Sequence, residues 1–317
     1  MNILLVIAGL ALLVAGGEIL IRGSVAIAER FGLSRTLIGV LLLGFGTSMP
    51  EFVASFGAAL KGADDIAFGN VLGSNIANIL MILGLCALIL PIATSVRDVR
   101  RDMGFVAASS VGCLAWIALG GIPMAGAAAL VGLFLAYVVL IVRTDATSVD
   151  TGTVEVPSVR APSRPVWSSF GQALAGIVLL VAGAESLIRG ASAIASGLGV
   201  SEALIGITVV GIGTSLPEAT ASVLASLKKE NALAFANIVG SNIFNGLAIL
   251  GVTGLAFPLS FDVSAAGFSL TDGIVLCVAT ATMFVFAVTH RKVVRWEGAV
   301  MLAGYGAYLG WLILRVG

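Results

Sequence analysis

The sequence predicts an all-α membrane protein of ten transmembrane helices, arranged as two inverted five-helix repeats with broken helices at the centre. Three observations lead there. The 317 residues are 59% hydrophobic and only 11% charged, against about a quarter charged in a soluble domain, and apolar windows of about 20 residues recur from end to end. Gly44 to Glu51, Gly-Phe-Gly-Thr-Ser-Met-Pro-Glu, interrupts one of those windows and returns 167 residues later as Gly211 to Glu218, Gly-Ile-Gly-Thr-Ser-Leu-Pro-Glu. Finally, the basic residues between spans fall almost entirely on one side.

Taken in order, the spans run about 3–28, 35–60, 66–90, 103–119 and 123–142, then 166–196, 202–227, 232–257, 267–289 and 295–314. The opening stretch has the apolar core of a signal peptide but no basic n-region. Its pattern also recurs mid-chain: Ala8-Gly9 and Leu12 to Gly16 match Ala175-Gly176 and Leu179 to Gly183. It is therefore read as the first span. The 40 glycines and the many alanines favour closely packed membrane helices. Cys86, Cys113 and Cys277 lie inside apolar spans at no metal or redox spacing and read as small core residues.

The internal repeat sets the organisation. Residues 16–85 align with 183–252 without a gap, and 37 of the 70 positions are identical. Glu18-x3-Arg22-Gly23 becomes Glu185-x3-Arg189-Gly190, and Gly73-Ser74-Asn75-Ile76-Ala77-Asn78 becomes Gly240-Ser241-Asn242-Ile243-Phe244-Asn245. Residues 1–142 thus form the first repeat, 143–165 a cytoplasmic linker, and 166–317 the second. The linker is rich in Ser, Thr, Pro and Val and reads as a flexible tether. Five spans is an odd number, so the second repeat enters the membrane from the opposite side, as in many secondary transporters.

Loop charge is an independent test. The side reached after span one carries thirteen basic residues, from Arg30 to Arg295, and the other only Lys61 and Arg315. The positive-inside rule makes the first side cytoplasmic and puts both termini outside. A cell (inner) membrane of a prokaryote is the expected location, with the lipid bilayer as the surrounding partner. No nucleic-acid partner and no cofactor are expected.

Four of the seventeen acids fall deep in spans: Glu18, Glu51, Glu185 and Glu218. A carboxylate at mid-membrane costs about 2.5–3.5 kcal/mol on insertion scales. Glu18 and Glu185 each have an arginine four residues on, Arg22 and Arg189, and an intrahelical ion pair accounts for them; steadying or gating moving helices is the alternative. Glu51 and Glu218 have no basic residue within two helical turns. Their polar neighbours are Thr47 and Ser48, and Thr214 and Ser215. Pro50 and Pro217 suit the first turn of a restarted helix. The Gly-x-Gly before each is expected to unwind and free carbonyls for coordination. An all-oxygen set of this kind suits Ca²⁺ or Na⁺ rather than zinc or copper. Ser74 and Asn78 share a helix face, as do Ser241 and Asn245, and those faces are expected to meet the broken helices. Asn75 and Asn242 point elsewhere and read as structural. The repeated pair Asn70 and Asn237 has no assignable role from sequence.

At these motifs the chain resembles the cation/Ca²⁺ exchanger superfamily, in particular the prokaryotic sodium/calcium exchangers. The resemblance covers spans two, three, seven and eight and extends into spans one and six. It implies a central site formed by four helices, with spans one and six sliding as a gating pair. It implies that Glu51 and Glu218 ligate Ca²⁺ and also contact Na⁺. Thr47 and Thr214 would offer backbone carbonyls. Ser48, Ser215, Ser74 and Ser241 would serve the Na⁺ sites, and Asn78 and Asn245 would line the middle. Transported Ca²⁺ and Na⁺ are thus the implied partners. K⁺-dependent relatives carry aspartate where this chain has Asn245. That departure argues against K⁺ co-transport and leaves a proton-driven mode open.

Two ionised glutamates neutralise one Ca²⁺, and the same oxygens could hold Na⁺ instead. Competition at one site with alternating access is enough for exchange. An H⁺/Ca²⁺ antiporter would use Glu51 and Glu218 as proton acceptors, since the single histidine, His290, sits beside Arg291 and Lys292 at a helix end. A cation channel is the more distant reading. No zinc-protease motif, phosphate loop or nucleotide fingerprint is present, so an enzyme is not expected.

Overall fold

The computed structural model describes residues 2–148, 166–198, 211–261 and 268–316. These are helical apart from short turns and four two-residue strands. The helices are α1 (Asn2–Phe31), α2 (Arg35–Thr47), α3 (Met49–Leu60), α4 (Asp64–Ile89), α5 (Val96–Leu119), α6 (Met124–Ser148), α7 (Val166–Gly197), α8 (Leu216–Leu227), α9 (Asn231–Ala256), α10 (Leu270–Thr289) and α11 (Arg295–Val316). Among the described residues, eight helices are long and apolar enough to cross a membrane. The bent pair α2 and α3 makes a ninth span. The expected span at 202–227 lies partly outside the described residues. α6 continues to Ser148, so the expected linker begins as helix.

Local chemistry explains where helices start and stop. Ser34 and Ser95 cap α2 and α5 by accepting from the backbone N–H of Leu37 and Asp98, donors that a helix start leaves unpaired. Ser269 and Asp272 form a capping box at the start of α10. Gly120 ends α5 in the left-handed region at φ 74°, where a side chain is disfavoured.

Burial separates core from periphery. α9 is buried along its whole apolar window and α4 along 72% of its own, while the other six long helices are 22–39% buried. Apolar side chains exposed on those outer helices, such as Leu4, Val111, Leu174 and Val278, match a lipid solvent. The two helices that carry Gly-Ser-Asn-Ile are therefore the ones the fold encloses.

Contacts between the halves are reciprocal. α1 and α7 run antiparallel at glycine level. A side chain built at Gly9 would meet the Gly183 carbonyl at 2.7 Å, and one at Gly16 would meet the Gly176 carbonyl at 2.9 Å. Gly9 and Gly16 are the sequence counterparts of Gly176 and Gly183, so each contact is the other with the halves exchanged. Only glycine allows such backbone approach. The strands obey the same rule. β1 (Ile92–Ala93) pairs with β4 (Lys292–Val293), and β2 (Gly121–Ile122) with β3 (Leu259–Ser260), both antiparallel.

Candidate cation site

The break in the second span is sharp. α2 ends at Thr47 and α3 starts at Met49, with a bend of 45° at Ser48 (φ −84°, ψ 8°). Pro50 has no N–H, so the Gly46 carbonyl lacks the usual donor four residues on. The second half breaks at the same place: residues 211–213 are helical, Ser215 has φ −86° and ψ 8°, and α8 begins at Leu216.

The expectation of unwound glycines is corrected by this geometry. Residues 39–44 form a π-helical stretch and 45–47 an α-helical turn. The glycines serve packing instead. A side chain at Gly44 would meet the Gly240 backbone at 3.0 Å, and one at Gly46 or Gly213 would run into Ile177 or Ile188 of α7. The Gly-Ser-Asn helices also widen into π turns, at Ala77–Leu83 and Phe244–Ile249. Asn78 and Asn245 lie one residue inside these turns. π turns recur at functional sites; here they begin after the α-helical stretches that carry Ser74 and Ser241.

The two glutamates are fully buried and each is held by the other half. Ser48 donates to Glu218 Oε1 at 2.7 Å, and Ser215 donates to Glu51 Oε1 at 3.3 Å. Each glutamate keeps a second oxygen, Oε2, that is buried with no hydrogen-bond partner among the described residues. The side-chain amides of Asn78 and Asn245 are likewise buried and unpartnered at both atoms. The segment bearing Asn245 packs against α3, and the segment bearing Asn78 against α8, so each restarted helix lies beside the asparagine-bearing segment of the other half. A buried polar atom left unpaired costs about 1–3 kcal/mol. Two carboxylates and two amides all left short of partners form an arrangement that a cation satisfies through their oxygens. The set is oxygen-only, as Ca²⁺ and Na⁺ prefer. No group of three or more His, Cys, Asp or Glu suited to a metal occurs among the described residues.

The remaining expected residues fall around this centre. The Ser74 hydroxyl lies beside the Glu51 carboxylate. Ser241 donates to the Gly44 carbonyl at 3.3 Å and ties α9 to the first break. The Thr47 hydroxyl donates to the Leu43 carbonyl at 2.9 Å. Thr214 stands at the second break and is half-buried. Asn75 donates to the Asn242 carbonyl at 3.3 Å, and Asn242 to that of Ile238 at 2.8 Å, the structural role read from their position.

Two residues without an assigned role now have one. Asn237 donates to Ser222 Oγ at 2.9 Å and to the Glu218 carbonyl at 3.4 Å, and it accepts from Thr47 at 3.3 Å. Asn70 donates to Ser55 Oγ at 2.9 Å and to the Glu51 carbonyl at 3.3 Å. Each asparagine clamps the first turn of a restarted helix and so fixes its glutamate. Their recurrence in register was the only signal in the sequence.

Broken helices with buried acids at the break, enclosed by lipid-facing helices, mark a membrane transporter. Comparison with known proteins places it within that class. The model of the sodium/calcium exchanger protein family matches residues 1–143 and 168–314, and the chain belongs to that family. It is 36% identical to a putative antiporter, CaxA, of Alkalimonas amylolytica, over 96% of both chains. It is 28% identical to the sodium/calcium exchanger MaX1 of Methanosarcina acetivorans, over 97% of both. Among solved structures, it superposes on the sodium-calcium exchanger NCX_Mj soaked with Na⁺ and Sr²⁺ with a TM-score of 0.82, at 30% identity, covering 98% of this chain and 97% of that one.

Proposed function

We propose that this chain is an antiporter that exchanges Na⁺ for Ca²⁺ by alternating access at one midplane site. The observation that carries the reading is the reciprocal bridge: Ser48 to Glu218 and Ser215 to Glu51, with one unpartnered oxygen left on each acid. Glu51 and Glu218 are the Ca²⁺ ligands. Thr47, Thr214, Ser48, Ser215, Ser74, Ser241, Asn78 and Asn245 supply neutral oxygens to Ca²⁺ or Na⁺. Two negative charges balance one Ca²⁺, and several Na⁺ would replace it only after it leaves. Three Na⁺ per Ca²⁺ would move one net charge per cycle.

The same reading takes residues 1–142 and 166–317 as inverted five-span repeats joined by 143–165. Strand pairing supports ten spans by parity. β2 lies between spans four and five and pairs with β3, which follows span eight. Both must be on one side, so the number of crossings between them is even. α6, α7 and α9 supply three, and the stretch ending in α8 supplies the fourth. The basic side is then cytoplasmic, with both termini outside.

The test is Ca²⁺ uptake into proteoliposomes loaded with Na⁺, K⁺ or acid. Uptake driven by an outward Na⁺ gradient, without K⁺ and lost in Glu51→Gln and Glu218→Gln, is the expected result. Uptake that follows pH and ignores Na⁺ would replace Na⁺ by H⁺ as the coupling ion. Uptake that survives both substitutions would remove the two glutamates from the site.

A further inference from the structure

The two halves are near copies, yet they are not arranged identically, and the difference lies at one pair of charges. Glu18 of α1 is bound both by Arg22 on its own helix, at 2.7 Å, and by Lys228 just past the end of α8, at 2.5 Å. The counterparts of Glu18, Arg22 and Lys228 are Glu185, Arg189 and Lys61, identical residues at an offset of 167. Glu185 is paired with Arg189. It has no contact with Lys61, which forms no ion pair among the described residues and lies exposed after α3.

Packing shows the same asymmetry independently. α1 is seated on α8: a side chain at Gly17 would meet Leu224 at 2.7 Å and Thr220 at 3.2 Å. The counterparts of Leu224 and Thr220 are Gly57 and Val53 of α3. A side chain at Gly57 would meet nothing within 4 Å, and Val53 is 68% exposed. One helix of the α1/α7 pair thus covers the restarted helix of the other half, and its twin leaves the equivalent face bare.

We propose that Glu18–Lys228 and Glu185–Lys61 are alternating latches, each closed in one of the two access states, and that Lys61 and Lys228 are positioning residues for the exchange cycle. The inference rests on the alternating-access reading. Exchange of the two halves turns this arrangement into its mirror state. Glu18, Arg22 and Lys61 are identical to Glu185, Arg189 and Lys228, so the same charged contact is available to either half. α1 and α7 interlock through Gly9, Gly16, Gly176 and Gly183, so they shift together. A shift that opens Lys228 from Glu18 brings Glu185 toward Lys61. The conformation described is latched where Lys228 lies, on the basic side, and unlatched at Lys61 after α3. It also gives the two remaining intramembrane acids a purpose beyond their helical arginines.

Cross-linking tests this without any transport measurement. In a chain with Cys86, Cys113 and Cys277 replaced by alanine, one variant carries Glu18→Cys with Lys228→Cys. A second carries Glu185→Cys with Lys61→Cys, and a third carries all four. A short bifunctional thiol reagent is added in membranes, with Na⁺ or Ca²⁺ varied. Both pairs are expected to cross-link, and the four-cysteine chain to close one pair or the other but never both in one molecule. Adding Lys228→Gln to the second variant should raise the rate of its cross-linking about two- to fivefold, the weight of a partly exposed ion pair. Failure of the 61/185 pair under every ion condition, while 18/228 closes, would overturn the proposal. So would closure of both pairs in the same molecule, or no effect of Lys228→Gln. A protein that passes these tests but carries no Ca²⁺ would retain the latches and lose the assigned cargo, so the two readings fail separately.

Discussion

Glu218→Gln removes a charge and almost nothing else. Glu218 is fully buried, and its Oε1 accepts from Ser48 at 2.7 Å. A glutamine has the same shape and keeps a carbonyl oxygen for that bond. At about 4 Å and an effective dielectric of about 20, one unit charge attracts another by about 4 kcal/mol. Ca²⁺ therefore loses about 8 kcal/mol of attraction and each Na⁺ about 4, before desolvation. The cost of burying the carboxylate offsets most of this. If a quarter survives, the losses are about 2 and 1 kcal/mol, or about 30-fold and fivefold in affinity. The measurement is equilibrium binding of radioactive Ca²⁺ to detergent-solubilised protein, with Na⁺ titrated as competitor and thermal unfolding recorded alongside. A folded variant that binds Ca²⁺ within twofold of the parent would refute the assignment. So would one in which the loss per bound Na⁺ exceeds the loss for Ca²⁺, because at one position the doubly charged ion must lose more.

Ser48→Ala breaks the shorter of the two cross-half bridges and Ser215→Ala the longer, 2.7 against 3.3 Å; at about 1.5–3 kcal/mol for a bond to a charged group, Ca²⁺ binding should fall more in the first, measured as above. Asn237→Ala removes two donated bonds and one accepted bond at a fully buried residue, whereas Asn70→Ala removes two at a half-buried one. Thermal unfolding in detergent should show losses of about 2–4 and 1–2 kcal/mol respectively. Gly16→Val drives a side chain into the α7 backbone and should cost about 1–3 kcal/mol and slow Ca²⁺ uptake. Gly171→Ala meets nothing within 4 Å and should leave both unfolding temperature and uptake unchanged.

The class of fold and the two central acids were legible because each is an anomaly against its local background. Long apolar runs demand helices in lipid, where no water can satisfy the backbone. A glutamate without a basic neighbour inside such a run is costly, and its recurrence at Glu51 and Glu218 excludes accident. Pro50 and Pro217 likewise marked the breaks, since the missing N–H is a local property of the residue. Glu18 with Arg22 and Glu185 with Arg189 were readable for the same reason: four residues on a helix fix the distance.

What only the tertiary structure decided involves partners distant in the chain. Ser48 and Glu218 are 170 residues apart, and no spacing rule links them. Asn70 and Asn237 became clamps only once α4 and α9 lay beside the restarted helices. The Gly-x-Gly pairs were misread as unwound backbone, because glycine has two uses, free φ and close approach, and only a neighbour such as Gly240 or Ile177 selects between them. The π turns at 77–83 and 244–249 left no local mark in the sequence. Lys228 and Lys61 are identical loop lysines in the sequence. Their unequal surroundings arise because a symmetric sequence can occupy an asymmetric conformation, and helix packing, which no single residue carries, sets that asymmetry.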